Sequence, residues 1–307
     1  MRAQDHVYLQ YREVGVLLWR GFSLQQVCDQ CFSNVDDLGK GRQMPVHYGS
    51  KALNVHTISS PLATQIPQAA GAAYAFKRDN ENCPDDEKRA AWCFFGDGSA
   101  SEGDFHAGMN FAATLQCPVV FVVRNNGYAI STPVEEQYRG DGIAGRASGY
   151  GMHAIRCDGN DLLAVLKSSE EARDIAVSQN KPVLLEVMTY RGGHHSTSDD
   201  STRYRTKEEI NGWLEGTSPI SRLGRFLQDR GLWTEEMAQE CADETRKQVL
   251  QAFSTASQKK KPALTELFTD VFDKEPQSLQ RQRQQLKEHL EKYGSEYKLD
   301  DLAEKTL

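Results

Sequence analysis

Two apolar runs, Ala90 to Phe95 and Pro118 to Val123, bracket a segment in which Phe105, Met109, Ala112 and Leu115 recur at helical spacing. The first run ends in Gly96-Asp97-Gly98 and the second in Arg124-Asn125-Asn126-Gly127-Tyr128. The pattern predicts strand, turn, helix, strand: a βαβ unit with its polar residues at the carboxyl ends of both strands, the edge at which parallel α/β sheets bind ligands. Further on, Ala154 to Cys157 predicts a short strand, residues 161–179 a helix, and Val183 to Thr189 an apolar strand. This alternation implies an α/β fold, a mostly parallel sheet flanked by helices.

The flanks are less regular. Residues 4–38 read as helical, with apolar positions at Val14, Leu17, Leu18, Leu24 and Val27; residues 39–61 read as loop, and residues 63–78 as an alanine-rich helix suited to close packing. Cys83 to Arg89 reads as a charged, exposed insertion. Arg191 to Arg205 has no apolar periodicity and follows a strand's carboxyl end, which predicts a mobile loop. Beyond it, Thr234 is an N-cap candidate with Glu235 and Glu236 in the first turn. Lys259-Lys260-Lys261-Pro262 breaks the pattern as a solvated linker, and Leu279, Leu286, Leu290 and Tyr293 mark one face of a final helix. The expected division is an α/β domain over residues 1–245 and a helical carboxyl-terminal extension over 246–307 that packs on a partner subunit.

A chain of 307 residues can bury a substantial core as one large domain or two. A formal charge of −7 argues against non-specific nucleic-acid binding, and no run of eighteen apolar residues predicts a membrane span. Seven cysteines, an odd count, read as reduced thiols rather than a disulfide framework. Residues 1–20 include Asp5 and Glu13 and lack a long apolar stretch, so they read as neither signal nor transit peptide; the abrupt start reads as a truncated or processed form.

The polar residues at the two strand ends carry the chemistry. Asp97 offers a carboxylate, Asn126 an amide oxygen, and Tyr128 stands two residues on. Such hard oxygen donors suit Mg²⁺, which commonly also takes phosphate oxygens, and free N–H groups at the start of the following helix suit a phosphate. The alternative is a βαβ unit with polar loop residues and no ligand. Gly-Asp-Gly followed 26 residues later by Asn-Asn resembles the diphosphate-binding motif of thiamine diphosphate enzymes.

From about Gln10 onward the chain resembles the α subunits of branched-chain 2-oxo acid dehydrogenases, the thiamine-dependent decarboxylating components. The resemblance is most specific in Gly39-Lys-Gly-Arg-Gln-Met-Pro-Val-His47, Ile58-Ser-Ser-Pro-Leu-Ala-Thr-Gln65, Asn125-Asn-Gly-Tyr-Ala-Ile-Ser-Thr-Pro133 and His194-His-Ser-Thr-Ser-Asp-Asp200. Position 97 departs from it, since the family often has Glu there. Pyruvate dehydrogenase α chains share the thiamine motif but differ at Arg42 to His47 and after the paired histidines. The rivals are thus a pyruvate-type α subunit and a non-catalytic regulatory chain of the same fold.

The resemblance implies a thiamine diphosphate-binding fold and oxidative decarboxylation of branched-chain 2-oxo acids, with acyl transfer to lipoamide on a partner acyltransferase. The matching enzyme is 3-methyl-2-oxobutanoate dehydrogenase (2-methylpropanoyl-transferring). It implies a β subunit in a heterotetramer of two α and two β chains, a regulatory kinase and phosphatase, and the mitochondrial matrix. It assigns Tyr11, Arg12, Arg124 and His195 to the diphosphate end, Gly98 and Ser99 to close backbone approach, and Ser60 and Leu62 to the thiamine. His195, Ser60 and Tyr11 are its candidates for catalysis. It assigns Asp97, Asn126 and the Tyr128 carbonyl to Mg²⁺, and Ser59, Pro61, Thr64 and Gln65 to K⁺; a helix cap is the other reading of Ser59 and Thr64. Ser196 matches the family's regulatory phosphorylation site, and Thr206 stands where relatives carry a second serine.

Individual residues have plainer readings. His194 and His195 are adjacent and lack a nearby third ligand, which disfavours a metal pair; His195 suits proton transfer or phosphate contact, with His194 shaping the loop. His47 and His56 read as loop or core residues, His106 as a hydrogen-bonded packing residue, and Glu102 as a helix-start cap.

Overall fold

The computed structural model describes residues 1–307 and divides them into two compact units: Met1–Val14 with Lys51–Gln239, and Gly15–Ser50 with Glu240–Leu307. The position expected to divide the chain, 245/246, falls inside one continuous helix, Glu235–Gln258.

The first unit holds a five-stranded sheet in the order β1-β2-β3-β7-β6, with every pairing parallel. Its strands are β1 (His6–Tyr8), β2 (Ala91–Gly96), β3 (Val119–Asn125), β6 (His153–Asp158) and β7 (Val183–Met188). A separate hairpin joins β4 (Tyr128–Ala129) to β5 (Thr132–Pro133). The helices along the chain are α1 (Val14–Trp19), α2 (Leu24–Phe32), α3 (Gln65–Asn80), α4 (Gly103–Leu115), α5 (Val134–Gln137), α6 (Ala147–Tyr150), α7 (Leu162–Gln179), α8 (Lys207–Thr217), α9 (Pro219–Gln228), α10 (Glu235–Gln258) and α11 (Gln277–Tyr293).

Strands β2, β3 and β7 read as continuous apolar runs because both faces of the sheet are covered. On one side Phe95, Phe121 and Val123 pack with the α3 and α4 residues Ile66, Ala69, Phe105 and Met109; on the other Trp92, Val120 and Leu185 pack with Ala172 and Ala176 of α7. Small residues let α3 and α4 approach closely. A Cβ on Gly108 would stand 2.7 Å from Ile66 Cγ2, so only hydrogen fits there.

The expected helix over 4–38 is broken. His6–Tyr8 instead forms the edge strand β1, in register with Ala91–Cys93, and helix begins only at Val14. Its apolar Val7 and Tyr8 are buried against the sheet, and Gly21 at φ 98° ends the first helical stretch. Thr234 caps α10 as expected, its hydroxyl accepting the Met237 N–H at 3.2 Å.

In the second unit the Lys259–Lys261 run is not a solvated linker. Lys259 Nζ pairs with Asp29 at 3.0 Å and Asp36 at 2.7 Å, and Lys261 Nζ donates to the Phe32 carbonyl. Asp29 is buried, and its carboxylate requires the cation. All seven cysteines are free; Cys28 and Cys31 stand at C-x-x-C spacing on α2, and no cluster of His, Cys, Asp and Glu suited to a metal surrounds them.

Candidate active site

The carboxyl ends of β2 and β3 lie side by side because the register pairs Gly96 with Arg124. Asp97 therefore leaves one strand next to the point where Asn125 and Asn126 leave the other. Asp97 is 1% exposed, and the hydrogen bond to its carboxylate comes from a neutral donor, Gln137 Nε2 at 3.0 Å. A buried carboxylate served by one amide, with no ion-pair partner, is poorly compensated; a cation would supply what is missing. Asn126 is also buried, and its Oδ1 accepts the Tyr128 N–H at 3.1 Å, which leaves a second lone pair. Gly127 makes the intervening turn at φ 83°.

Gly98 opens the floor. A Cβ there would come within 2.9 Å of Ala129 Cβ on the β4 hairpin, so a side chain would close the space over the backbone. Ser99 begins a 3₁₀ turn before α4, and its hydroxyl accepts from Gln10 Nε2 at 2.9 Å. Gln10 N in turn donates to Glu13 Oε2 at 2.9 Å, and Glu13 Oε1 accepts Arg124 Nε and a terminal nitrogen at 3.1 and 2.8 Å. Arg124 is thus fixed by a buried glutamate supplied by the segment after β1.

That segment also reaches the loop after β7. Arg12 donates to the His195 carbonyl at 2.7 Å and to the Tyr11 hydroxyl at 3.0 Å, and Tyr11 lies 3.4 Å from His195 Nε2. Burial first, then the guanidiniums of Arg12 and Arg191, hold the His195 imidazole below its ordinary pKa. His195 N donates to Asp199 Oδ2 at 2.8 Å, and Tyr204 donates to the same oxygen at 2.6 Å. Residues 191–205, expected to be a mobile loop, carry one 3₁₀ turn and several further ties: Arg191 to Ile130 O at 2.7 Å, Arg205 to Gly193 O at 2.9 Å, and Ser201 N to His194 Nδ1 at 3.0 Å. Ser196 is exposed, its hydroxyl 3.2 Å from that of Ser198.

The loop before α3 brings Ser59, Pro61 and Thr64 together. Thr64 Oγ1 donates toward Ser59 Oγ at 3.0 Å and Pro61 O at 3.1 Å, and Ala63 bends the chain at φ 67°. Thr64 makes no side-chain cap for α3. Gln65 does not join this group through its amide nitrogen, which donates to Phe94 O on β2 at 3.1 Å. Ser60 and Leu62 stand on the exposed side of the loop. Glu102 precedes α4 without capping it through its side chain, against expectation, and His106 accepts or donates to the Tyr150 hydroxyl at 2.6 Å.

The dehydrogenase E1 component model matches residues 1–265. The chain belongs to the dehydrogenase E1 component family. Its relatives include proteins named 2-oxoisovalerate dehydrogenase subunit alpha, mitochondrial. It is 54% identical to that of Caenorhabditis elegans, over 97% of this chain and 68% of the worm protein. It is 55% identical to that of Homo sapiens, over 96% of this chain and 65% of the human protein. Identity to the subunit alpha 1 of Arabidopsis thaliana is 52%, over 95% of this chain and 61% of the plant protein. The chain thus spans about two thirds of the length of these E1 relatives.

Several residues that build this candidate site escape a reading by motif. Gln137, Glu13 and Gln10 hold Asp97, Arg124 and Ser99, yet none of the three lies in one of the motif segments. Glu186 lies hidden inside the apolar run of β7. Beside the site, a cavity of about 1010 Å³ opens at the carboxyl ends of β3, β6 and β7, lined in part by Asn126, Tyr138, Arg156, Tyr190 and Trp213.

Proposed function

We propose that this chain is the α subunit of a branched-chain 2-oxo acid dehydrogenase, active with a β subunit and passing its acyl product to the lipoyl group of an acyltransferase in the mitochondrial matrix. The observation that carries the cofactor assignment is the buried, under-compensated Asp97 beside Asn126 at adjoining strand ends. The substrate assignment rests on the likeness to 2-oxoisovalerate dehydrogenase α subunits over nearly the whole chain.

Asp97, Asn126 and Tyr128 would hold Mg²⁺, one carboxylate and two neutral oxygens being a donor set that leaves room for phosphate and water. Thiamine diphosphate, when bound, supplies the nucleophile and the electron sink for decarboxylation. Tyr11, Arg12, Arg124 and His195 would grip its diphosphate, with guanidinium forks suited to phosphate oxygens. Gly98 and Ser99 let the backbone come close, while Ser60 and Leu62 would face the thiamine. The Ser59, Pro61 and Thr64 oxygens, with Gln65, form a charge-free set suited to K⁺ and brace the loop that carries Ser60.

His195 is the proton-handling group. Its depressed pKa keeps Nε2 uncharged at neutral pH, so it can orient a hydroxyl or exchange a proton there. Ser196, exposed and next to it, is the regulatory phosphorylation site for a dedicated kinase and phosphatase. The carboxyl-terminal extension with α11 packs on a partner, in an assembly of two α and two β chains.

The test is co-expression with the β chain, followed by cofactor binding and decarboxylation assays on 2-oxoisovalerate and pyruvate. Magnesium-dependent binding with preference for 2-oxoisovalerate is expected. Preference for pyruvate would transfer the chain to the pyruvate-type α subunits, and assembly without cofactor binding would make it a regulatory chain.

A further inference from the structure

We infer that Glu186 is a positioning residue for the metal-bearing turn, acting through Asn125; this rests on the reading that Asp97, Asn126 and Tyr128 hold Mg²⁺. Glu186 is fully buried in β7, flanked by Leu185 and Val187. A carboxylate in such a strand needs a reason, since burying it unpaired is costly.

Its two oxygens have separate duties. Oε1 accepts from Asn125 Nδ2 at 2.8 Å and from Ile143 N at 2.8 Å. Oε2 accepts from Ala144 N at 2.9 Å and from Arg156 Nε at 2.9 Å. Burial pushes the Glu186 carboxyl up, but the bonds from Asn125, Ala144, Ile143 and Arg156 outweigh it, and the group stays ionised.

The Oε1 arm continues to the site. Asn125 Nδ2 is shared between Glu186 and the Tyr138 hydroxyl at 3.1 Å, which fixes the plane of the amide. Asn125 Oδ1 then accepts the Gly127 N–H at 3.1 Å. Gly127 sits between Asn126 and Tyr128, so the amide that Glu186 orients holds the turn bearing two of the three proposed metal ligands. The Oε2 arm runs instead to Arg156, which also pairs with Asp141 at 3.0 Å and touches none of those ligands. One residue therefore has a positioning arm and a structural arm, and substitutions separate them.

The experiment measures thiamine diphosphate binding by tryptophan fluorescence, and Mn²⁺ binding by electron paramagnetic resonance, in the assembled α and β complex as divalent ion is titrated. Glu186→Gln keeps the shape but places an amide where N–H donors converge. The ion concentration for half-saturation should rise tenfold or more, as losses of outer-shell partners do. Asn125→Ala cuts only the positioning arm, leaves three donors on Glu186, and should show the same rise with little loss of thermal stability. It decides the matter if Glu186→Gln does not fold. Arg156→Gln cuts the structural arm and should lower stability while leaving half-saturation within about twofold. Unchanged half-saturation in Asn125→Ala, or an equal rise in Arg156→Gln, overturns the inference. Wild-type complex that binds no thiamine diphosphate would overturn the proposed function, and this inference with it.

Discussion

Replacing Arg173 with methionine tests how β1 is held, and with it the segment that delivers Gln10 to Glu13. Asp5 is fully buried just before β1, and its carboxylate takes Arg173 Nε at 2.8 Å and a terminal nitrogen at 2.9 Å. It also accepts from Arg2 N at 2.7 Å, Ala90 N at 3.0 Å and Trp92 Nε1 at 3.3 Å. Burial pushes its pKa up, but Arg173 and the other donors outweigh that and leave it lowered. Without Arg173 the carboxylate loses both guanidinium bonds. Breaking a buried pair in this way costs about 3–5 kcal/mol. At roughly 2–4 °C per kcal/mol for a unit of about 200 residues, Tm should fall by roughly 6–20 °C.

The pH dependence gives a second signature. In the wild type the lowered pKa contributes stability that is present in full above the unfolded value of about 3.9, and lost as pH falls through the folded pKa. From neutral pH down to mild acid its contribution is therefore flat. In the variant the pKa is raised, so the deficit is largest at neutral pH and narrows as the carboxyl protonates in acid. The doubly substituted Asp5→Asn/Arg173→Met chain carries no buried charge there and should regain much of the loss. Urea unfolding followed by circular dichroism from neutral to mildly acid pH measures all three. A single variant as stable as wild type at neutral pH, or a double variant no better than the single, would refute the reasoning.

Two further outcomes test the site itself. Asp97→Ala removes the only charged ligand proposed for Mg²⁺ and should weaken cofactor binding by about tenfold or more at limiting Mg²⁺, read by fluorescence titration of the assembled complex; unchanged affinity would remove Asp97 from the site. Ser196→Glu imitates a phosphate of about −1.5 to −2 charges beside Asp199 and the proposed diphosphate, so acyl transfer to lipoamide should be lost and protease nicking within 191–205 should increase; full activity with a protected loop would count against Ser196 as a switch.

The βαβ unit was legible because both of its strands are continuous apolar runs ending in polar turns, and the helix between them keeps its period. The parallel sheet followed from the same alternation. What escaped depends on partners far away in sequence. His6–Tyr8 is too short to show a strand period, and becomes one by pairing with residues beyond position 90. Lys259 looks solvated until Asp29 and Asp36, more than 220 residues earlier, are placed beside it. Glu186 is masked by its apolar neighbours, and Gln137 by its place at the end of the four-residue helix α5, too short to show a period. Motifs identified the candidate ligands; the residues that hold those ligands carry no motif, because any donor at the right place would serve.

The placement of those holding residues couples two sides of the candidate metal site. Asp97 sits at the end of β2, and its carboxylate is held by Gln137 of α5. Gln137 Nε2 also donates to Thr132 O at 3.2 Å, on β5 of the hairpin that begins with Tyr128. The Gly127 carbonyl accepts from Val134 N at 3.0 Å, which closes the start of α5 onto the same turn. Asp97 is therefore tied through one glutamine to the segment that bears Asn126 and Tyr128, rather than to its own strand alone. This bears on the shorter carboxylate at position 97. Aspartate has one rotatable bond fewer than glutamate, so less entropy is lost in fixing it, but its reach depends more closely on the backbone. An amide clamp that moves with the opposite ligands keeps the carboxylate in register with them, which is what a short side chain needs and a longer one could supply by its own flexibility.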